Sequence, residues 1–138
     1  MDQKTLGQKI SEMVPHVQIA KEMNQNWIRC FQDQSYLPRY LFHGTTKQHF
    51  KEISEEGLLP ESCFLGKVYL FTTYDPAKNH AFAKSSLRKD QSVVLYFDRE
   101  QYPAAHLEKR DNNTIRCYDA IPAEFLNRVR WPLEWLLR

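Results

Sequence analysis

The chain has 138 residues, of which 42% are hydrophobic and 13% aromatic, and its formal net charge is +2. This length suits one domain with its own core, and the composition excludes a disordered chain. The charge is too small to require nucleic acid as a partner and does not exclude it. No apolar stretch approaches the about 20 residues of a membrane span, so no membrane association is expected.

The cysteines Cys30, Cys63 and Cys117 are scattered along the chain. Their odd number argues against a disulfide framework and favours a reducing compartment. The N-terminus lacks the apolar segment of a secretory signal, so a cytoplasmic location is expected. Neither Cys-x-x-Cys nor His-x-x-x-His spacing occurs, and we therefore expect no structural zinc.

Residues 5–31 are predicted to be helical because apolar residues recur at helical spacing. Pro15 is expected to end or kink a first helix near Met13, and a second helix continues to Phe31. This helical segment, residues 1–34, precedes a single compact domain at 35–138. We interpret the apolar positions of the first helix as core packing; they are Leu6, Ile10, Met13, Val14 and Val17.

The remaining chain alternates short strands and helices. The clearest helix covers residues 47–56, with Thr46 as its N-cap and Gly57 as the left-handed residue that ends it. A further helix begins at Asp75-Pro76 and runs to about Ser85. Residues 36–42 are predicted to be a loop that runs into a short strand. The other predicted strands are 68–72, 92–98, 114–118 and 129–131, of which 92–98 is the most apolar. The joins are too short and irregular for parallel βαβ units, so the pattern predicts an α+β domain with a largely antiparallel sheet.

The segment Leu-Phe-His-Gly-Thr-Thr at 41–46 is the most informative in the chain. A strand that ends there places the imidazole of His43, the flexible Gly44 and the hydroxyl of Thr45 at one rim of a sheet. Such a set can bind a ribose and an amide. Tyr69, in the next predicted strand, can supply an aromatic wall. A histidine that caps a turn is the plainer interpretation of His43 alone.

The order and spacing of these motifs resemble the ADP-ribosyltransferase fold over residues 36–130. The nearest branch has a His-Tyr-acid pattern and includes poly(ADP-ribose) polymerases, DNA-modifying DarT-type toxins and small rifampin-modifying transferases. RNA 2′-phosphotransferases share this fold. The motifs that carry the resemblance are His43-Gly44-Thr45, Ile53 with Gly57-Leu58, Val68-Tyr69-Leu70, the helix 77–81, Val93 to Tyr96, and Ile121 to Glu124.

The resemblance implies a split β-sheet that holds NAD in a cleft. His43 would hydrogen-bond the nicotinamide-side ribose, and the Gly44 backbone would pair with the carboxamide. Thr45 would help to fix that loop, and Tyr69 would stack on the nicotinamide ring.

Two further site positions are expected, one from the resemblance and one from its place in the sequence. A second stacking ring of the polymerase branch corresponds to His80, with Phe82 as the nearby alternative. Arg39 is the better candidate for a pyrophosphate contact because it precedes His43 by four residues. The basic residues of the 75–85 helix and its end are interpreted as a solvated face; they are Lys84, Arg88 and Lys89.

The third member of the pattern is a carboxylate, and here the chain departs from the family. Counting back from Ile121-Pro122 leads to Asn113 or Thr114, neither of which is acidic. The nearby carboxylates are Glu108, Asp111 and Asp119. We favour Asp111 as the catalytic acid, because the antibiotic-modifying branch carries its acid in the loop before this strand. A solvated loop charge is the alternative for Asp111.

The resemblance implies a mono-ADP-ribosyltransferase with NAD as co-substrate and a protein, nucleic acid or small molecule as acceptor. An RNA 2′-phosphotransferase-like enzyme is a second possibility, for which Lys67, Lys84 and Arg88 would replace the expected arginines. A non-enzymatic module that binds a nucleotide or a partner is a third, favoured by the missing carboxylate.

Overall fold

The structure is a computed structural model that describes residues 4–63 and 66–138. Its sheet contains six strands in the order β4-β5-β2-β1-β3-β6, and neighbouring strands are antiparallel. The strands are β1 (Tyr40–Thr46), β2 (Val68–Phe71), β3 (Ser92–Asp98), β4 (Leu107–Lys109), β5 (Thr114–Cys117) and β6 (Leu126–Arg128). The helices are α1 (Leu6–Asn24), α2 (Asn26–Gln32), α3 (Lys47–Glu56), α4 (Tyr74–Arg88) and α5 (Leu133–Leu136). The predicted α+β class with an antiparallel sheet is confirmed.

The first helix is longer than predicted, because α1 continues through Pro15 to Asn24. Pro15 is exposed, so its ring meets solvent and the helix loses one backbone hydrogen bond there. Thr5 and Gln8 form a capping box at the start, with reciprocal bonds of 3.1 and 2.8 Å. The break between α1 and α2 falls at Gln25 instead of near Met13.

The expectation that the apolar face of α1 packs in the core is wrong for its first half. Leu6 is 75% exposed and Val14 63% exposed, whereas Ala20 and Met23 are buried. These two buried residues join a cluster with Tyr40 and Leu133, so the helical segment and the sheet share a core. Only the second half of α1 lies against the rest of the domain.

Several element boundaries differ from the predictions for identifiable reasons. The first strand continues through His43 to Thr46 because it pairs with β3 along its whole length. Helix α4 begins after Thr73 and ends at Arg88, and its C-cap Lys89 adopts a left-handed backbone with φ 52°. The last strand is β6 at Leu126–Arg128 and not 129–131, and the short, polar β4 was not predicted.

Two apolar layers cover the two faces of the sheet. On one face, Ala77 and Ala81 of α4 pack against Phe42 and Val94. On the other face, Ile53 of α3 packs in a cluster with other buried residues, among them Leu41, Leu95, Ile115 and Ile121. The two helices therefore lie on opposite sides of β1.

Gly44 allows α4 to approach β1 closely. A Cβ atom at this position would lie 2.2 Å from the Ala77 carbonyl oxygen and 2.9 Å from the Ala81 nitrogen. Both are backbone atoms, which cannot swing away as a flexible side chain can. Any larger residue at position 44 therefore has to push the helix off the strand.

The sheet is weakly joined between β1 and β2. In the described part of the chain, the register between them consists of Phe42 opposite Phe71. By contrast, β1 pairs with β3 from Tyr40 opposite Asp98 to Thr46 opposite Ser92. The two halves of the sheet, β1-β3-β6 and β2-β5-β4, thus meet mainly at one residue pair.

Asn26 of α2 ties the two halves together beside this pair. Its buried Nδ2 donates to the Tyr40 carbonyl at 3.2 Å and to the Thr72 carbonyl at 2.8 Å. One side chain thereby donates to a buried carbonyl group from each half of the sheet. The N-terminal helices close the sheet on this side and leave it open on the other.

We predict that Gly44→Ala lowers the free energy of unfolding by about 1–3 kcal/mol, because the new methyl group overlaps the backbone of α4. Gly7→Ala is the matched control: a Cβ there would meet only Thr5 Oγ1, at 4.0 Å. Alanine is the better helix former, so Gly7→Ala should stabilise by up to about 1 kcal/mol. Urea unfolding measures both. Equal effects of the two substitutions would contradict the close approach of α4.

We also predict that Asn26→Ala lowers the free energy of unfolding by about 1–3 kcal/mol, because two buried carbonyl groups lose their donor. Asn24→Ala is the control, since Asn24 is exposed and its contact to the Leu136 carbonyl is 3.4 Å long. Urea unfolding should show a change within about 0.5 kcal/mol for the control. A neutral Asn26→Ala variant would show that the two halves do not depend on this residue.

Candidate active site

A cleft of about 620 Å³ opens where β1 and β2 separate. Its floor includes His43 and Thr45 of β1, and Tyr69 and Phe71 of β2 contribute aromatic rings. The walls come from α3, from α4 and from the β4–β5 hairpin. The polar and charged wall residues are His49, Glu52, Glu56, Lys67, His80, Lys84, Arg88, Arg110 and Thr114.

The hydrogen bonds that flank the β1–β3 ladder reveal where the backbone of β1 points. The Lys47 N–H donates to the Gln91 carbonyl, and the Arg99 N–H donates to the Arg39 carbonyl. Because such bonds alternate along an antiparallel pair, the odd-numbered residues of β1 direct their backbone groups to β3. Gly44 therefore directs its N–H and carbonyl to the side of β2, where the register has ended.

His43 bridges the separated strands. Its Nδ1 lies 3.0 Å from the carbonyl oxygen of Tyr69, the group that would face Gly44 if the register of Phe42 and Phe71 continued. A carbonyl only accepts hydrogen bonds, so Nδ1 carries the proton and Nε2 is left as an acceptor. The imidazole thus replaces a ladder bond and keeps one lone pair for a ligand.

His43 is neutral at physiological pH. Burial lowers its pKa to about 4, which outweighs the opposing effect of the bond to the Tyr69 carbonyl. The nearby positive charge of Lys84 lowers the pKa further. A neutral imidazole with a free Nε2 suits the acceptance of a hydroxyl proton and is unsuited to binding an anion.

The other predicted residues of the His-Gly-Thr segment lie beside His43. Thr45 is buried and lines the cleft. Gly44 is not among the residues that line it; its backbone groups face the gap between β1 and β2. Tyr69 is half-buried on the cleft wall. His80 also lines the cleft, with its ring 5.6 Å from that of Phe71. Its alternative, Phe82, is 67% exposed and is not among the residues that line the cleft.

The cleft carries an excess of positive charge. Four cations line it: Lys67, Lys84, Arg88 and Arg110. The interpretation of the basic residues of α4 as a solvated face therefore does not hold for Lys84 and Arg88. Burial lowers the pKa of Lys84, and the Arg88 charge acts in the same direction. An anionic ligand would relieve this repulsion.

His49 and Arg88 connect the two helical walls. The Arg88 guanidinium donates to a ring nitrogen of His49 at 2.8 Å. His49 lies in the first turn of α3, which Thr46 caps through the His49 N–H, and Arg88 is the last residue of α4. The contact therefore closes one end of the cleft.

Asp111, the carboxylate favoured as catalytic acid, is not brought to the cleft. It is exposed, and its Oδ1 accepts the N–H groups of Asn113 and Thr114, each at 2.8 Å. These bonds shape the turn between β4 and β5, a common use of aspartate. Thr114, one of the two positions counted back from Ile121-Pro122, does line the cleft.

The other candidate carboxylates are also engaged elsewhere. Glu108 accepts from Arg116 at 3.2 Å and from the Tyr118 hydroxyl at 3.3 Å. Asp119 accepts the backbone N–H of His106. Within the described residues, the carboxylates on the cleft wall are Glu52 and Glu56 of α3.

Arg39 also lies outside the cleft lining. Its guanidinium binds both oxygens of Asp98 at 3.0 Å and contacts Glu100 at 3.2 Å. The residue precedes β1 by one position, so the length of the strand separates it from Thr45. Proximity to His43 in sequence did not translate into proximity to the cleft, because the chain between them is extended.

Sequence reasoning did not single out Glu52, Glu56 and Arg110 as site residues. The sequence held a weak signal for the first two: Glu52 and Glu56 are four residues apart on a predicted helix, so they lie on one side of it, next to the apolar Ile53. The position of Arg110 depends on the β4–β5 hairpin, which was not predicted. No group of three potential metal-ligating side chains occurs among the described residues.

Comparison with known proteins gives no family for the chain. No protein-family model matches it, and no curated protein matches it. None of the helices at 4–63 and 66–138 is both long and apolar enough to span a lipid bilayer. The chemistry of the cleft is therefore the basis on which a function can be proposed.

The depressed pKa of His43 predicts a pH-dependent stability. The unfolded histidine takes up a proton near pH 6.5 and the folded one only near pH 4. Stability is therefore complete above about pH 6.5 and falls by about 2–3 kcal/mol as the pH is lowered toward 4. Urea unfolding of wild type and His43→Gln between pH 7.5 and 4.5 measures this, and the difference between them should shrink on acidification. A constant difference would contradict the buried neutral histidine.

Proposed function

We propose that the cleft binds NAD and that the chain transfers ADP-ribose from it to an acceptor. The observation that carries the proposal is the neutral His43 at the separation of β1 and β2, with its Nε2 free and the Gly44 backbone beside it. The volume of the cleft lies within the range of about 300–1,000 Å³ that small-molecule sites occupy.

Several polar groups at the cleft have a counterpart in NAD. His43 Nε2 can accept a hydroxyl proton of the nicotinamide ribose. The unpaired side of Gly44 presents a donor and an acceptor, as a carboxamide requires. The rings of Tyr69 and His80 provide flat apolar surfaces for nicotinamide. The cations Lys84 and Arg88 are suited to the pyrophosphate.

In the proposed reaction the bond between ribose C1′ and the nicotinamide nitrogen breaks, and nicotinamide leaves with the electron pair. An acceptor nucleophile forms the new bond at C1′ and releases its proton. Positive charge develops on the sugar in between, as in glycoside hydrolysis. Holding the leaving group and the ribose in a fixed orientation is the contribution of His43, Gly44 and Tyr69.

The third position distinguishes the kind of transfer. Thr114 contributes a hydroxyl, which hydrogen-bonds but neither carries negative charge nor takes a proton as a carboxylate does. We therefore propose a single transfer to each acceptor site and not the growth of a polymer. Among the described residues, the carboxylates that line the cleft are Glu52 and Glu56 of α3.

One observation favours a second candidate, an enzyme that removes a 2′-phosphate from RNA with the help of NAD. Lys67, Lys84 and Arg88, which this reading requires around a phosphate, line one cleft together with Arg110. Two of the expected bidentate arginines are lysines here, which weakens the match. A third candidate, a binding module without chemistry, draws support from the absent carboxylate.

Nicotinamide release from NAD by the purified protein tests the proposal, alone and with cell lysate as a source of acceptors. His43→Ala should reduce the rate by about 100-fold or more, because the ribose loses its anchor. Tyr69→Ala should weaken NAD binding. Asp111→Asn is the matched control: it keeps the turn and lies outside the cleft, so its rate should equal that of wild type.

The alternatives give different results in the same assay. Saturable NAD binding without release supports the binding module. Release only in the presence of a 2′-phosphorylated oligonucleotide supports the RNA enzyme. Release that His43→Ala leaves intact would contradict the role of the imidazole.

A further inference from the structure

The face of β2, β5 and β4 that continues from the cleft is a regular array of aromatic and basic side chains. Along these strands one set of residues is buried, among them Val68, Leu70, Ile115 and Cys117. The alternate set therefore lies on the opposite face, which is partly exposed. Helix α4 packs mainly on β1 and β3 and leaves this face accessible.

The strand register arranges the exposed set in cross-strand rows. In the middle row, Tyr69 of β2 lies opposite Arg116 of β5, which lies opposite Glu108 of β4. In the adjacent row, the Lys67 ammonium lies 5.5 Å from the ring centre of Tyr118, and the ring of His106 lies 5.7 Å from it on the other side.

The third row joins the face to the cleft. Phe71 lies opposite Thr114, and the Arg110 N–H donates to the Thr114 carbonyl. Thr114, Arg110, Lys67 and Tyr69 all line the cleft as well. The face and the cleft are thus one continuous surface.

The charge of the face is positive. Glu108 is its carboxylate, and that group is already engaged by Arg116 at 3.2 Å. Lys67 and Arg110 form no ion pair within the described residues. The Nε of Arg116 is buried and has no hydrogen-bond partner there either.

We propose that this face binds single-stranded nucleic acid and leads it to the cleft. Tyr69 and Tyr118 are diagonal neighbours, about 7–8 Å apart along the sheet. Tyr118 exposes part of a ring on which an unpaired base can stack, while the ring of Tyr69 is left to the nicotinamide. Lys67, Arg110 and Arg116 lie between and beside these rings and match the phosphates. An acidic peptide would use the cations but would leave the rings uncovered.

The role of that strand as the acceptor of ADP-ribose rests on the proposed function. The binding of the strand to this face does not rest on the proposed function, because the residues of the face are in place without NAD. A nucleobase or a terminal phosphate of the strand would be the nucleophile that attacks ribose C1′, with nicotinamide as the leaving group and a proton released to solvent.

Fluorescence anisotropy with a labelled 12-nucleotide single strand of mixed sequence, as RNA and as DNA, tests the proposal. We expect saturable binding that weakens with salt, with a slope of log affinity against log salt near −2 for about three phosphate contacts. Lys67→Gln and Arg110→Gln should each reduce the slope by about 0.7. Tyr118→Ala should weaken binding by about fivefold or more, and Tyr118→Phe should retain it.

Two controls remove a similar group elsewhere: Arg130→Gln, an exposed cation near the opposite edge of the sheet, and Trp135→Ala, an exposed aromatic of α5. Both should bind as wild type does. Thermal unfolding of every variant separates loss of contact from loss of fold. A preference for RNA or for DNA identifies the natural strand, and either supports the proposal.

Three results would overturn it: no saturable binding at 50 mM salt, equal binding of a duplex of the same sequence, or face variants that bind like the controls. Labelling of proteins alone in a lysate, without binding of the oligonucleotide, would leave NAD transfer standing and remove nucleic acid as the acceptor. Binding of the strand without nicotinamide release would leave the nucleic-acid face standing and remove NAD transfer.

Discussion

The whole architecture of the site depends on the separation of β1 from β2 after one paired position. The two strands pair at Phe42 and Phe71, and beyond them the backbone groups of Gly44 and Tyr69 do not continue the ladder. Unpaired backbone groups inside a protein are costly. Asn26 satisfies those on one side of the pair, and His43 satisfies the Tyr69 carbonyl on the other. The cleft is thus a gap in a sheet whose edges are stabilised by two side chains.

This arrangement explains why the N-terminal helices belong to the fold. They supply Asn26, and the second half of α1 adds Ala20 and Met23 to the core beneath α4 and α5. It also explains the glycine of the His-Gly-Thr segment. Gly44 lets α4 approach the strand, which brings Lys84 and Arg88 to the cleft; its backbone then faces the gap. Because Gly44 has no side chain, it packs directly against α4, and its backbone N–H and carbonyl face the gap toward β2.

Much of the fold was predictable from sequence, because the signals were local. The N-cap Thr46, the helix at Lys47–Glu56 and the positive φ of Gly57 follow from residue types within a few positions of each other. The sequence also pointed to His43, Thr45, Tyr69 and His80, which the structure brings to one cleft.

Features that depend on distant contacts were not predictable. Pro15 does not end α1, since packing of residues further along sustains the helix. Asp111 was a reasonable acid by position, but its carboxylate is used by the backbone of its own turn. The position of Arg110 depends on β4, a strand of three residues with no apolar pattern. Arg39 forms an ion pair with Asp98, 59 residues further along the chain, and so does not contact the cleft.

Nitrogen-15 NMR of the histidine side chains, with and without NAD, tests the central claim most directly. At pH 7 the His43 ring should be neutral with the proton on Nδ1, and saturating NAD should shift the Nε2 resonance as that atom accepts a ribose hydroxyl. A cationic ring at pH 7, a proton on Nε2, or a His43 spectrum that NAD leaves unchanged would contradict the account.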